Sequence, residues 1–152
     1  MVSAEQARDI ALFFLLSLLD QKQALAAAHK TIAQLKGMKA GHQTHTRVQI
    51  ARVLSKAFDA QRKMLSRNRP TEMSDAAIQF PAGTDLPTWQ KFHRQSSDGE
   101  ITAVILTQLL GFSEDEAAEG FNVSTGTMKY RVAKGMRQMG AVLAKAENRS
   151  QV

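Results

Sequence analysis

The sequence contains no cysteine in its 152 residues. Disulfide bonds and thiolate-bound metals are therefore excluded, and a reducing, cytoplasmic location is the natural prediction. Long apolar runs are also missing. The longest, Ile10 to Leu19, is interrupted by Ser17 and is about half of what a helix needs to span a bilayer. The N-terminal residues mix both charges and show no small-residue cleavage site, so we predict neither a signal peptide nor a membrane partner.

Proline is scarce, and its three copies all fall between residues 70 and 87. This stretch shows little apolar periodicity, which is typical of a linker. We therefore predict two helical domains, residues 1–69 and 98–152, joined by a linker of residues 70–97. One short helix is expected inside the linker, over Leu86–His93. Its anchors should be two aromatic residues, Trp89 and Phe92.

Helical periodicity accounts for the rest of the chain, and we predict an all-α fold. Ala4–Leu19 is apolar almost all round, which predicts a helix buried between partners. Gln21–Lys36 is rich in alanine, a strong helix former. After a polar loop, Gly37–His45, a third helix should cover Thr46–Ser66. Its inner face is predicted from four apolar residues: Ala51, Leu54, Phe58 and Leu65.

The most informative stretch begins at Ser113 and reads SEDEAAEGFNVSTGTMKYRVAKGMR. It follows a helix that should start near Asp98 and end at Gly111. Ser113 and Glu116 form a capping-box pattern at the start of a short helix. Asn122 suits a left-handed turn residue, and Ser124 can cap a second helix. Helix, tight turn and basic helix, in this order, predict that the C-terminal domain is a helix-turn-helix.

The second helix of this motif has two predicted sides. Its apolar stripe should consist of five residues: Met128, Val132, Met136, Met139 and Leu143. The opposite side would enter the major groove, and it carries Thr127, Tyr130, Lys134 and Arg137, with Lys129 and Arg131 on its flanks. Together with Ser124 and Thr125 at the helix start, these are the candidate DNA-binding residues. Among these, Thr127, Lys129 and Arg131 are candidates for contacts near bases, and Lys134 and Arg137 for phosphate contacts. The alternative is a solvated basic helix in an ordinary bundle.

Charge is distributed unevenly along the chain, whose formal net charge is +6. Up to residue 70 the only acidic residues are Glu5, Asp9, Asp20 and Asp59, while Lys and Arg are frequent. A positive balance favours polyanionic partners without selecting one.

Signs of an enzyme are missing. His42 and His45 lie three residues apart, but no cysteine and few acids are near enough in sequence to complete a metal shell. There is no glycine-rich phosphate loop. We predict no catalytic residues, no metal and no cofactor.

The residues quoted above resemble a family. LLGFSEDEAAEGFNVSTGTMKYRVAKG is similar to the minus-35-binding domain of bacterial sigma factors of the extracytoplasmic-function type, in the sigma-70 superfamily. LLDQKQALAAAHKTIAQL and IARVLSKAFDAQR resemble, more weakly, the helices of that family's N-terminal domain. The N-terminal domain is degenerate: Leu25–Lys30 lacks the family's acidic cluster, Arg47-Val48-Gln49 replaces its Trp-Leu pair, and Val53 replaces an Asn.

The resemblance implies a transcription regulator whose partners are core RNA polymerase and promoter DNA. It also implies promoter-facing residues in the third helix: Arg47, Arg52, Lys56, Arg62 and Lys63. The loop Gly37–His45 would hold an unstacked base. Alternatively, the chain is a sigma-like module that binds an anti-sigma factor or a response regulator without initiating transcription. A free-standing helix-turn-helix repressor is the third hypothesis.

Overall fold

The computed structural model describes residues 2–38, 45–64 and 85–150, and for residues 145–150 it describes the backbone alone. These residues form seven α-helices and one π-helical turn, so the all-α prediction is confirmed. The elements are α1 (Ala4–Leu18), α2 (Gln21–Gly37), α3 (Arg47–Met64), α4 (Leu86–Gln95), α5 (Asp98–Val104), the π-helical turn (Ile105–Leu109), α6 (Glu114–Gly120) and α7 (Thr125–Ser150).

Local capping chemistry sets where several of the helices begin. Capping boxes open three of them, with Ser3, Ser97 and Ser113 as the caps. The box predicted at Ser113 is confirmed: its hydroxyl accepts from the Glu116 backbone at 3.0 Å, and the Glu116 carboxylate accepts from the Ser113 backbone at 2.9 Å. Each such cap is worth about 1 kcal/mol, because it satisfies backbone N–H groups that have no partner inside the helix.

The first helix is the centre of the core, as its apolar sequence predicts. Phe13 and Phe14 are fully buried, and α1 packs against α2, α3, α5 and the π-helical turn. The chain then reverses within two residues. Leu19 adopts a left-handed conformation with φ of 52°, and the Asp20 carboxylate accepts from the Gln23 backbone at 2.8 Å to start α2.

The N-terminal and C-terminal parts of the chain pack directly against each other through α3 and α6. The predicted inner residues Ala51, Leu54 and Phe58 are buried, while Leu65 lies outside the described residues. A Cβ placed on Gly120 of α6 would overlap the side chain of Ala51, so the two helices meet at closest approach there. The rings of Phe58 and Phe121 both contact Phe13, with centroid separations of 6.0 and 6.4 Å.

Helix α4, which lies inside the predicted linker, is held by the end of α1. Trp89 and Phe92 are buried, with ring centroids 5.0 Å apart, so their prediction as anchors is confirmed. The indole Nε1 of Trp89 donates to the Leu16 carbonyl at 2.8 Å, and His93 Nε2 donates to the Ser17 carbonyl at 2.7 Å.

Parts of the predicted connections fall outside the described residues. These parts are residues 39–44 of the predicted loop and residues 65–84, which include the first part of the linker. The boundaries of the two domains stay a prediction.

The helix before Gly111 differs in detail from the sequence prediction. It starts as α5 and continues through the π-helical turn, where Leu110 N–H donates to the Ile105 carbonyl at 2.9 Å. It ends at Gly111, whose φ of +76° suits a residue without a Cβ. The sequence contains no strong signal for a π-helical turn, because such turns arise where packing inserts one extra residue into a helix.

Candidate nucleic-acid interface

A tight turn joins α6 to α7 with the geometry that the sequence predicts. Asn122 has φ of 57°, and the Val123 N–H donates to the Ala118 carbonyl at 3.0 Å. Ser124 caps α7, because its hydroxyl accepts from the Thr127 backbone at 3.0 Å. Thr125 donates from its hydroxyl to Asp115 at 3.0 Å, which fastens the start of α7 to α6. The direction of α7 is therefore fixed by hydrogen bonds within the turn.

One side of α7 is buried against α4, α5 and α6. Its buried residues are Met128, Val132, Gly135, Met139 and Val142. A Cβ on Gly135 would collide with Val104 of α5, so the backbone of α7 touches α5 there. The predicted stripe was wrong at Met136, which is 41% exposed. Alternating steps of four and three place Gly135, rather than Met136, on the buried line.

The opposite side of α7 is open to solvent and carries several of the candidate DNA-binding residues. Thr127, Lys129 and Arg137 are exposed, and Tyr130 is 61% exposed. Two cations and a phenol are thus presented on a helix whose orientation the turn fixes. This arrangement can meet phosphates and base edges at the same time.

Two other candidate bases lie along α5 instead of pointing away from the protein. The Nε of Arg131 lies 3.0 Å from the point where a Cβ on Gly99 would stand. Lys134 Nζ lies 3.4 Å from the carboxylate of Glu100, which is buried. Burial opposes ionisation of Glu100, but hydrogen bonds from Ser97 and the charge of Lys134 outweigh it and lower its pKa. Sequence reasoning missed this pair, because Glu100 has the position of a helix-start charge.

The predicted promoter-facing residues of α3 also divide into two groups. Arg47 donates to the Gly111 carbonyl, and its guanidinium carbon lies 5.4 Å from the ring centroid of Phe112. Arg62 Nε donates to Asp98 at 3.1 Å. These two arginines therefore join α3 to the C-terminal part of the chain. The other three, Arg52, Lys56 and Lys63, are exposed.

The histidines form no metal site in the part of the chain that the structure describes, where no three His, Asp or Glu side chains group suitably. His45 is buried, and neither of its ring nitrogens has a partner among these residues. His42 lies outside the described ranges. Residues 2–38, 45–64 and 85–150 include no helix that is both long and apolar enough to cross a membrane.

The fold is similar to one that is known. No protein-family model matches the chain, and no curated protein matches its sequence. A solved structure does: the sigma factor RpoE in complex with the anti-sigma factor NepR, from Bartonella quintana. The match has a TM-score of 0.70 and 17% sequence identity and covers 91% of each chain. At this identity the likeness concerns the fold.

Proposed function

We propose that the chain is a sigma-factor-like transcription regulator that binds promoter DNA through the exposed side of α7 and docks on core RNA polymerase. The observation that carries the proposal is the sigma-factor fold, which extends over 91% of the chain. The cationic side of α7, held outward by a hydrogen-bonded turn, supports the DNA-binding part. The predictions of a non-enzymatic, cytoplasmic protein without a cofactor agree with this function and stay predictions.

The exposed side of α7 suits the major groove. An α-helix with its side chains is about 10–12 Å wide, and the groove is about 12 Å wide. Lys129 and Tyr130 lie in the first two turns of α7, where a groove-inserted helix contacts base edges. Ser124 and Thr125 are proposed as flanking residues at its start, since their hydroxyls bond to Thr127 and Asp115. Arg137 lies further along the same side as Tyr130. Arg131 and Lys134 are proposed as flanking contacts, since each also touches α5.

Salt dependence of DNA binding tests this proposal. The duplex is first selected from a random pool with the purified protein, and binding is then followed by fluorescence anisotropy at several salt concentrations. Removal of one phosphate-binding cation lowers the slope of log K against log salt by about 0.9. We therefore expect Arg137→Ala to lower the slope by about one. Lys134→Ala should lower it by less, because its ammonium group already pairs with Glu100.

Lys30→Ala is the matched control for this experiment, since Lys30 is an exposed lysine on α2. An equal change of slope for Lys30→Ala and Arg137→Ala would contradict a DNA surface on α7. Selection of no duplex at all would contradict the DNA-binding function itself.

A second function is favoured by one observation. Arg47 and Arg62, proposed to face the promoter, are engaged by the C-terminal part of the chain. A sigma-like module that binds an anti-sigma factor or a response regulator would not need them free. Run-off transcription with purified core polymerase separates the two functions: polymerase binding with transcripts supports initiation, whereas tight binding to an anti-sigma factor or response regulator without transcripts supports the module.

A further inference from the structure

Helix α2 carries a solvent-facing surface with charge of one sign. The sequence from Gln21 to Phe58 contains no Asp or Glu, and this stretch includes all of α2. The three lysines of α2 are Lys22, Lys30 and Lys36, and all are exposed. No ion pair joins any of them to a carboxylate among the residues that the structure describes. The surface therefore presents cations that no partner within the described chain neutralises.

The positions of these residues on the helix define the shape of the surface. Since each residue advances 100°, Lys22, His29 and Lys36 share one side of α2. Lys22 and Lys36 are fourteen residues apart, which corresponds to about 21 Å along the axis. Leu25 lies beside this line between the two lysines and is 41% exposed. The opposite side of α2 is buried, chiefly against α1.

An apolar centre between two cations fits a protein helix better than a nucleic acid. Interfaces between proteins commonly have an apolar middle and a charged rim. Phosphate recognition favours arginine, whose planar fork binds two oxygens, yet α2 carries three lysines and one histidine but no arginine. The side chain of Leu25 has no charge and no hydrogen-bond donor for a phosphate, but an apolar side chain of a partner helix can cover it.

A second copy of the chain does not suit this surface. Two α2 helices would place lysine against lysine, which is repulsive. The acidic helix α6 spans only seven residues, and two of its carboxylates already bond within the chain, Asp115 to Thr125 and Glu116 to Ser113. Charge complementarity thus points to a different protein as the occupant.

We propose that the outer side of α2 binds an amphipathic α-helix of another protein, with carboxylates about four turns apart and an apolar residue between them that covers Leu25. This inference does not depend on DNA binding by α7. In the sigma factors that the sequence resembles, the corresponding helix is expected to carry an acidic cluster, whereas Leu25–Lys30 of this chain holds no acid. The partner proposed here is therefore acidic.

The absence of cysteine makes a direct test possible. An environment-sensitive fluorophore is attached to Ala33→Cys on α2 or, as the matched control, to Ala60→Cys on α3; both alanines are exposed. The probe is a synthetic helical peptide with two glutamates fourteen residues apart and leucine between them. We expect a saturable fluorescence change at position 33 and none at position 60. A counterpart peptide with lysine for glutamate should give no change.

Charge-reversal variants separate a defined site from general attraction. Lys22→Glu with Lys36→Glu should weaken peptide binding about tenfold or more. Lys56→Glu with Lys63→Glu on α3 changes the net charge equally and should leave binding within about threefold. Circular dichroism checks that both variants fold, and Leu25→Ala, which alters no charge, should also weaken binding.

Four results would overturn the proposal. They are the absence of a saturable change at position 33, equal weakening by the two charge-reversal pairs, displacement of the peptide by duplex DNA, and self-association of the unlabelled protein in sedimentation through α2. DNA binding by α7 is measured on the unaltered protein and on the α2 variants, because Lys56 and Lys63 of α3 are themselves predicted to face the promoter. The result for DNA binding therefore tests the proposed function, and the result for peptide binding tests the inference about α2.

Discussion

Glycine allows two close contacts between helices in the described part of this protein. Gly120 of α6 lies on Ala51 of α3, and Gly135 of α7 lies on Val104 of α5. A glycine within a helix costs about 1 kcal/mol relative to alanine, so it usually has a packing reason. The sequence contains that signal, but it does not say which helix is the neighbour.

Replacement of Gly120 by alanine should therefore destabilise the protein. The new Cβ gains helix propensity but overlaps Ala51, and overpacking costs about 1–3 kcal/mol. We expect the midpoint of urea unfolding to fall while the slope stays unchanged. Gly140→Ala is the control, because a Cβ there meets no atom within 4 Å and should stabilise α7 by about 0.5–1 kcal/mol. Equal effects of the two substitutions would contradict the close contact between α3 and α6.

The Glu100 carboxylate should make stability depend on pH. Its pKa in the folded protein is lowered from the ordinary value of 4.5. A carboxyl with a lowered pKa stabilises the fold fully above its unfolded value, and the stabilisation disappears as pH falls through the folded value. Glu100→Gln should lower the free energy of unfolding by about 0.5–1 kcal/mol at neutral pH, because glutamine keeps the capping box but not the ion pair. Below pH 4.5 the stability of this variant should fall less steeply than that of the wild type.

Thermal unfolding at a series of acidic pH values measures this effect. Glu119→Gln, at an exposed carboxyl of α6, is the control. If Glu100→Gln loses stability on acidification as steeply as the wild type, then the Lys134–Glu100 pair is not the source.

At the scale of the helix, local signals were sufficient for most boundaries. The cap at Ser113, the left-handed Asn122 and the end at Gly111 depend on residues within one turn, and the sequence predicts all three. The exposed Met136 and the π-helical turn were not predictable in this way, because both depend on how α5 packs against its neighbours. Arg47 and Arg62 are predicted to face DNA, but each donates to a residue far away in sequence, Gly111 and Asp98. Local patterns do not show such contacts.

Helix α4 should be important for stability despite its place in the predicted linker. Its side chains Trp89 and His93 satisfy the carbonyls of Leu16 and Ser17, which lie in the last turn of α1 and have no partner within that helix. Trp89→Phe removes a donor from a buried carbonyl, and we expect a loss of about 1–3 kcal/mol in urea unfolding. Arg94→Ala, at an exposed residue of the same helix, should change stability by less than about 0.5 kcal/mol. If Trp89→Phe also changes the free energy of unfolding by less than about 0.5 kcal/mol, the hydrogen bond of Trp89 contributes little to stability.

At the scale of the whole molecule, the N-terminal and C-terminal parts, which the sequence predicts as two domains, pack against each other. Contacts of α3 with α6 and of α1 with α5 connect the two ends of the chain. The bonds that Arg47 and Arg62 form with Gly111 and Asp98 lie in the same interface. The described parts therefore share one apolar core.

This shared core predicts a single unfolding transition. The protein has one tryptophan, Trp89 of α4, which is buried and donates to the Leu16 carbonyl of α1, so its fluorescence reports on the separation of these helices. Circular dichroism reports on all helices. We expect both signals to give the same urea midpoint, as two-state unfolding requires. Two separate midpoints would mean that the N-terminal and C-terminal parts unfold independently.

The left-handed Leu19 has a mechanical consequence. The side chain of this residue is buried although its backbone occupies a region that side chains rarely adopt, and Asp20 begins the next helix at once. The connection between α1 and α2 is thus a short, buried turn and not an exposed loop. We therefore expect a ligand that binds the outer side of α2 to change the fluorescence of Trp89, whose indole donates to the Leu16 carbonyl in the last turn of α1.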